Sequence, residues 1–194
     1  KIVSQLVKEE QVIVSGLAKG CDVIAHEECM RLAGKTIAIL PSPINEVLPK
    51  EHTKQAKQIV ETGGLLISEY YTSPSNPRFE MTKRYIERDR LQAMFAKVVI
   101  LIASYAVKKG DSGARHAMNK ALKYKHQACV MYDEKQDSHV DEMELNKQFV
   151  EAGSVKVLAK AARKNPAFIT IDEIAKYRIS TLERVTSTKQ DNLF

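Results

Sequence analysis

Short apolar runs of strand length alternate with longer segments of helical spacing along most of this 194-residue chain. The apolar runs show little polar alternation, which is typical of parallel strands that are covered on both faces. The pattern predicts strands over residues 12–14, 36–40, 65–70, 98–103, 128–132 and 155–158. It predicts helices at the start of the chain, over residues 23–32, 51–62, 78–96, 113–125 and 138–152, and near 171–177.

Strands that alternate with helices in this way indicate βαβ units and a mostly parallel sheet. With helices on both faces, the predicted fold class is α/β, a doubly wound, Rossmann-like domain over residues 1–160. Residues 161–194 are predicted to form a basic, partly helical extension with a polar tail. Because the pattern opens directly on a helix, we expect a piece of the protein upstream of Lys1 to be missing.

Composition and charge narrow the class of partner. The formal net charge of +6 and the pI near 9.1 favour anionic partners such as nucleic acid or nucleotides. Cys21, Cys29 and Cys129 have no C-x-x-C spacing, so we predict neither a disulfide framework nor a bound metal or cofactor, and a cytoplasmic location. No apolar run reaches the roughly 18 residues that span a bilayer, so no membrane association is predicted.

The segment from Val12 to His26 is the clearest candidate for a binding turn, because a short strand leads through two glycines into a helix. Gly16 and Gly20 allow a tight turn and a close approach of the backbone to another molecule. Asp22 stands where a helix N-cap is expected, and we interpret Asp22 and His26 as supports of the turn. Free backbone N–H groups at such a helix start form an anion site, and an ordinary βα turn is the alternative.

A second phosphate-binding turn is predicted at Ser112 and Gly113, which open a helix after the apolar run at 98–103. The carboxyl ends of parallel strands meet at one edge of a sheet, and ligands bind there in such folds. The helix over 78–96 is dense in cations, and its Arg88 and Arg90 offer guanidinium groups that suit phosphate. A solvated helix face is the alternative interpretation of this charge run.

No catalytic set can be assembled from the sequence. Glu69 follows Ser68 at a predicted strand end without an evident base partner. The sequence contains no Walker A lysine motif, no H-E-x-x-H and no nucleophile elbow. The chain is therefore predicted not to be an enzyme.

Several of these motifs follow one another in a recognisable order. They are Ser15-Gly-Leu-Ala-Lys-Gly-Cys-Asp-Val-Ile-Ala-His26, Gly34-Lys-Thr-Ile-Ala-Ile-Leu40 and Gly64-Leu-Leu-Ile-Ser-Glu69, followed by Arg88-Asp-Arg90 and Ser112-Gly113. This order resembles the DNA-processing protein A (DprA, or Smf) family over residues 1–132. The last two motifs occupy the places of that family's R-N-R-I-I-A and S-G-S-x-x-T-A motifs, with Asp89 where the family usually has asparagine.

The resemblance implies a non-enzymatic protein that binds single-stranded DNA as a homodimer and loads a RecA-type recombinase during DNA uptake or recombination. Carried over by position, the phosphate-binding residues would be Ser15, Gly16, Gly20, Arg88, Arg90, Ser112 and Gly113. The neighbouring cations Lys19, Lys83, Arg84 and Arg115 are predicted to join them in binding DNA. Asp22 and His26 would support the turn. A divergent member is expected, because the family's first strand and its glycine–arginine turn would lie upstream of Lys1.

The last residues suggest a further partner. Gln190, Leu193 and Phe194 resemble the short peptide motif by which bacterial proteins dock on the replication sliding clamp. Two other functions remain open: a binding protein for a nucleotide or nucleotide-derived signal on a related Rossmann-like scaffold, and a subunit of a larger assembly.

Overall fold

Parallel strands form the centre of the structure, a computed structural model that describes residues 1–110, 113–159 and 165–178. Three strands form one sheet in the order β1-β2-β3, and four form a second in the order β4-β5-β6-β7. The first sheet comprises β1 (Ile13–Ser15), β2 (Thr36–Leu40) and β3 (Leu65–Ser68), and the second β4 (Val98–Leu101), β5 (Gln127–Val130), β6 (Lys156–Leu158) and β7 (Phe168–Ile169). Every pairing between them is parallel.

Helices lie between successive strands from β1 to β6, with α1 before β1 and α8 after β7. They are α1 (Ile2–Lys8), α2 (Cys21–Arg31), α3 (Thr53–Glu61), α4 (Pro77–Phe95), α5 (Ala114–Lys123), α6 (Glu134–Asp137), α7 (Glu144–Glu151) and α8 (Ile171–Ala175), with 3₁₀ turns at Lys50–His52, Asp141–Met143 and Lys176–Arg178. The helix predicted over 138–152 is interrupted. Asp133 caps the short α6 by accepting a hydrogen bond from the Lys135 N–H, and α7 begins only after a 3₁₀ turn.

Three hydrophobic clusters hold the helices on the sheets. One joins α2 and α3 to β2, and another joins α5 and α7 to β4, β5 and β6. The third contains Leu6 of α1, Ile13 of β1 and Cys129 of β5, with Val98 and Ile100 of β4 packed against it. Since this cluster touches strands of both sheets, the two sheets lie side by side under shared helices. The α/β class with parallel strands flanked by helices is confirmed.

The structure differs from the predicted boundary at residue 160. Strand β7 pairs with β6, and Ile169, Ile171 and Ile174 are buried in the cluster that contains Leu6. Residues 165–178 are therefore part of the α/β core. A strand of two residues has no detectable periodicity, which is why the sequence did not reveal it. Within the described residues, no helix is long and apolar enough to cross a membrane.

Candidate nucleic-acid interface

The turn that follows β1 is organised by the Asp22 carboxylate. Its Oδ1 accepts a hydrogen bond from Ser15 Oγ at 2.6 Å. Its Oδ2 accepts from the backbone N–H groups of Gly16 and Ala18, each at 3.2 Å. The predicted N-cap role of Asp22 is wrong, because α2 begins at Cys21 with Gly20 as its N-cap at φ 85°. Asp22 lies inside the first turn and folds back over the loop.

Because three donors converge on one carboxylate, Asp22→Asn is expected to destabilise the fold. The asparagine amide keeps one acceptor oxygen. Its NH₂ group would face the two backbone N–H groups that now donate to Asp22 Oδ2, and neither can accept a hydrogen bond from the other. Charge-assisted bonds of this kind contribute more than neutral ones, so we expect a loss of about 1–2 kcal/mol in the free energy of unfolding. Urea unfolding of the two proteins measures it. Asp22→Glu, which keeps the charge but moves it outward, is expected to fall between them, and equal stability of all three would contradict this role.

Arg88 of α4 lies directly beneath the same turn. Its Nη1 donates to the Gly16 carbonyl at 2.7 Å, and its Nε donates to Asp89 Oδ1 at 3.1 Å. The guanidinium also lies over the ring of Tyr85, and only 7% of the side chain is exposed. A Cβ atom on residue 16 would lie 1.7 Å from Arg88 Nη1, so only glycine fits there. In this structure Arg88 therefore ties α4 to the turn, and phosphate binding by Arg88 remains a prediction.

His26 supports the turn from the protein interior. The ring is fully buried, and Nδ1 lies 2.7 Å from Thr36 Oγ1. Because the Thr36 hydroxyl donates to the Ile13 carbonyl, it accepts from His26, which places the imidazole proton on Nδ1. Burial lowers the pKa of His26 to about 4, and the nearby Asp22 charge opposes that shift only in part. The ring is neutral at physiological pH.

A large cavity opens between β1 and β4, with a volume of about 1220 Å³. Five of the predicted phosphate-binding residues line it, near the carboxyl ends of these strands: Ser15, Lys19, Arg88, Gly113 and Arg115. Gly113 is the N-cap of α5, so the dipole of that helix points its positive end toward this region. Arg115 Nε is buried and has no hydrogen-bond partner among the described residues.

The other predicted cations lie apart from the cavity and are paired with acids. Arg90 Nη2 donates to both Glu69 carboxylate oxygens at 2.7 Å, which raises the pKa of Arg90. Lys83 lies 3.7 Å from Glu87, and Arg84 lies 3.6 Å from Glu80 and over the ring of Tyr70. Lys19 at the cavity also pairs with an acid, Glu51, at 2.9 Å. The sequence carries a local signal only for the two i, i+4 pairs on α4, because the partners of Arg90 and Lys19 are distant along the chain.

Some predicted features fall outside this geometry. Ser112 and the tail residues Gln190, Leu193 and Phe194 lie outside the described residues. No cluster of three or more metal-ligating side chains occurs in the ranges that the structure describes. Cys29 and Cys129 are buried, and burial raises the pKa values of their thiols to about 11 and about 12.

The sequence matches a family model. Residues 1–167 match the model for DNA recombination-mediator protein A. The chain belongs to this family. Among its relatives, Protein Smf of Synechocystis is 34% identical over 102 residues, which are 53% of this chain and 24% of the relative. DNA processing protein DprA of Streptococcus pneumoniae is 35% identical over 82 residues, which are 42% of this chain and 29% of the relative.

The fold agrees with this family. The X-ray structure of DprA from Streptococcus pneumoniae superposes with a TM-score of 0.63 at 26% identity, covering 81% of this chain and 50% of that one. The resemblance to the DprA/Smf family drawn from the motifs is confirmed. These matches span half or less of the length of each relative. The chain is thus a DNA-processing, recombination-mediator family member with a Rossmann-like fold.

Proposed function

We propose that this chain binds single-stranded DNA through the phosphate-facing end of the cavity between β1 and β4, and that it acts as a non-enzymatic mediator that loads a RecA-type recombinase. The observation that carries the proposal is the meeting of the two predicted turns. Ser15 at the end of β1 and Gly113 before α5 are far apart in sequence and line the same cavity. Family membership in DNA recombination mediators supports the same function.

Arg115 is the residue that we assign to direct phosphate contact. Its Nε is buried and lacks a partner among the described residues, while a guanidinium is a strong donor to phosphate oxygens. It lies in the first turn of α5, where the helix dipole favours negative charge. A phosphate at this position would satisfy the buried donor.

Arg115→Gln is expected to weaken binding of labelled oligo-dT at least tenfold, since a hydrogen bond to a charged group contributes about 1.5–3 kcal/mol. Loss of one phosphate contact should also make the dependence of log K on log salt shallower by about 0.7 for a single strand. Fluorescence anisotropy across a salt series measures both, with a duplex of equal length as the competitor. Single strands are expected to bind more tightly than the duplex.

The matched control is Lys123→Gln, which removes the same charge from the last turn of α5. It changes the net charge equally but lies at the opposite end of that helix, so its affinity should stay within about twofold of the parent chain. Equal effects of the two substitutions would show that affinity depends on the net charge and not on a direct contact between Arg115 and phosphate. Absence of single-strand binding by the parent chain at low salt would overturn the proposal.

The paired cations of α4 are assigned a secondary contact along the strand. Arg90 can bind a phosphate only after its ion pair with Glu69 breaks. The loss of that pair reduces the net contribution of Arg90 to DNA affinity. Arg90→Gln is therefore expected to weaken oligo-dT binding by less than Arg115→Gln does in the same assay. A larger effect of Arg90→Gln would indicate that the main phosphate contact lies on α4 and not in the cavity.

The cavity volume favours a second candidate, a nucleotide or nucleotide-derived signal held by the same two turns. Mononucleotides that displace oligo-dT at micromolar concentration, or that raise the melting temperature without DNA binding, would favour this function.

The DNA-binding proposal also includes a homodimer, a cytoplasmic location and docking of the tail residues Gln190, Leu193 and Phe194 on a sliding clamp. Light scattering and removal of the last five residues in a clamp pull-down test the dimer and the clamp separately.

A further inference from the structure

The turn after β1 contains a leucine in an unusual backbone conformation. Leu17 has a φ of 61°, in the left-handed region that residues other than glycine, asparagine and aspartate seldom adopt. A conformation of this kind is strained and persists only where the surrounding structure enforces it, and such positions concentrate at functional sites. The contacts that hold Leu17 in this conformation therefore point to groups on which the turn depends.

The Leu17 side chain is anchored in the protein interior. It is fully buried in the hydrophobic cluster that joins α2 and α3 to β2. The next two residues, Ala18 and Lys19, instead line the cavity between β1 and β4. The chain thus passes from the core to the cavity within one peptide unit, which joins Leu17 to Ala18.

This peptide unit is held by a hydrogen bond at each end. Its N–H group, from Ala18, donates to Asp22 Oδ2 at 3.2 Å. Its carbonyl oxygen, from Leu17, lies 2.8 Å from His52 Nδ1. Because a carbonyl oxygen can only accept, His52 carries a proton on Nδ1 and donates it. Rotation of the peptide plane would break both hydrogen bonds, so Asp22 and His52 together fix its orientation.

His52 belongs to a separate part of the chain, the 3₁₀ turn at Lys50–His52 before α3. It is buried, and it does not line the cavity. The preceding residue, Glu51, pairs with Lys19 at 2.9 Å, but both side chains of that pair are more than half exposed. An exposed ion pair is weak, so Lys19 can exchange Glu51 for a phosphate. The buried hydrogen bond from His52 is therefore the stronger of the two constraints on the turn.

We propose, on the basis of the DNA-binding function proposed above, that His52 is a positioning residue for the single-stranded DNA site. Its Nδ1–H holds the peptide between Leu17 and Ala18 in the orientation that brings Ala18 and Lys19 to the cavity, and His52 itself does not contact DNA. The observation that carries the proposal is the strained φ of Leu17 together with the two hydrogen bonds that fix its peptide. A preordered backbone reduces the conformational entropy that is lost on binding.

Two substitutions separate the hydrogen-bond donor from the rest of the ring. His52→Leu removes the donor and keeps a side chain of similar size, so oligo-dT binding should weaken about tenfold, the effect of ordering the backbone of one residue on binding. His52→Asn can donate from near the Nδ1 position, so its affinity should stay within about twofold of the parent chain. If His52→Leu does not fold, His52→Gln, whose amide lies near the Nε2 position, should show the same loss.

The matched control is His126→Leu. His126 Nδ1 lies 3.0 Å from the Ala93 carbonyl, so this histidine makes the same kind of contact at another place in the fold. His126 does not line the cavity. Its substitution is expected to lower stability but to leave oligo-dT affinity within about twofold of the parent chain. Circular dichroism before each titration verifies that the variants are folded.

Hydrogen exchange measures the constraint on the peptide without nucleic acid. The Ala18 amide should exchange at least tenfold faster in His52→Leu than in the parent chain, and close to the parent rate in His52→Asn and His126→Leu. A Lys19→Gln background tests the route to DNA. If His52 acts by placing Lys19, His52→Leu should weaken binding in that background by less than about threefold.

The possible contradictions are distinguishable. Absence of oligo-dT binding by the parent chain would overturn the DNA-binding function and the role of His52 with it. Equal binding by the parent chain and His52→Leu would overturn the role of His52 alone. Equal weakening in His52→Leu and His126→Leu would show that both act through the stability of the fold. Weak binding by His52→Asn would show that the Nδ1 hydrogen bond does not position the turn.

Discussion

Arg88→Met is expected to lower the free energy of unfolding by about 3 kcal/mol, the largest effect of any single substitution proposed for this chain. Removing one member of a buried ion pair leaves the other charge in a poorly solvated position. Arg88 pairs with Asp89 at 3.1 Å and donates to the Gly16 carbonyl at 2.7 Å, and both Arg88 and Asp89 are buried. Methionine fills part of the same space but replaces neither hydrogen bond.

Urea unfolding measures the change, and Lys83→Met on the same helix provides the control. Lys83 is 77% exposed, and its ion pair with Glu87 is long, so its loss should cost less than about 0.5 kcal/mol. Comparable losses for the two substitutions would show that helix α4 is merely sensitive to methionine. A gain of stability in Arg88→Met would show that the desolvation free energy of the Arg88 charge exceeds the stabilisation from its hydrogen bonds and ion pair.

The contact between Arg88 and Gly16 has a second consequence that a double-mutant cycle tests. Gly16→Ala should cost about 1–3 kcal/mol in the parent chain, because its Cβ would overlap Arg88 Nη1 and Cζ. In the Arg88→Met background those two atoms are gone and the 2.9 Å approach to Asp22 Oδ2 remains, so the same substitution should cost less than it does in the parent chain. Additive costs would contradict the contact.

The sequence predicted the alternation of strands and helices well, because that alternation is recorded in local periodicity. Strand β2 was predicted at its observed bounds, and the predicted α4 differs from the observed helix by one residue at each end. The same local signal misplaced Asp22. The position of Asp22 after two glycines is typical of an N-cap. An N-cap residue, however, needs a non-helical backbone conformation and a side chain directed at its own helix start. The Asp22 carboxylate instead accepts hydrogen bonds from Ser15 and Gly16.

Long-range contacts account for what the sequence did not reveal about the candidate site. Gly16 was assigned to a close approach of the backbone to another molecule, whereas the group that approaches it is Arg88, 72 residues later. The sequence shows no base partner for Glu69, and in the structure its carboxylate binds Arg90. A motif indicates which residues matter, but whether an arginine faces a ligand or a carbonyl is decided by packing between distant elements.

The pH dependence of stability should report the buried histidine. Burial lowers the pKa of His26 from 6.5 to about 4, so between these pH values the unfolded chain binds a proton that the folded chain does not. Stability must therefore fall as pH falls through this window, and the loss between pH 7.5 and pH 5.0 should be about 2 kcal/mol from His26. Urea unfolding at the two pH values measures it.

His26→Asn separates this contribution from the others, because its amide can donate to Thr36 from near the Nδ1 position and does not titrate. The variant should lose about 2 kcal/mol less than the parent chain between pH 7.5 and pH 5.0. His116, whose pKa is lowered by burial and by the neighbouring Arg115 and Lys120 charges, contributes a loss of the same sign and should remain in the variant. Glu28, with its pKa lowered to about 2 chiefly by its hydrogen bond from Arg31, affects stability only below about pH 4.5. An unchanged pH dependence in His26→Asn would mean that the ring does not stay neutral under the turn, and that Thr36 does not hold it as the structure describes.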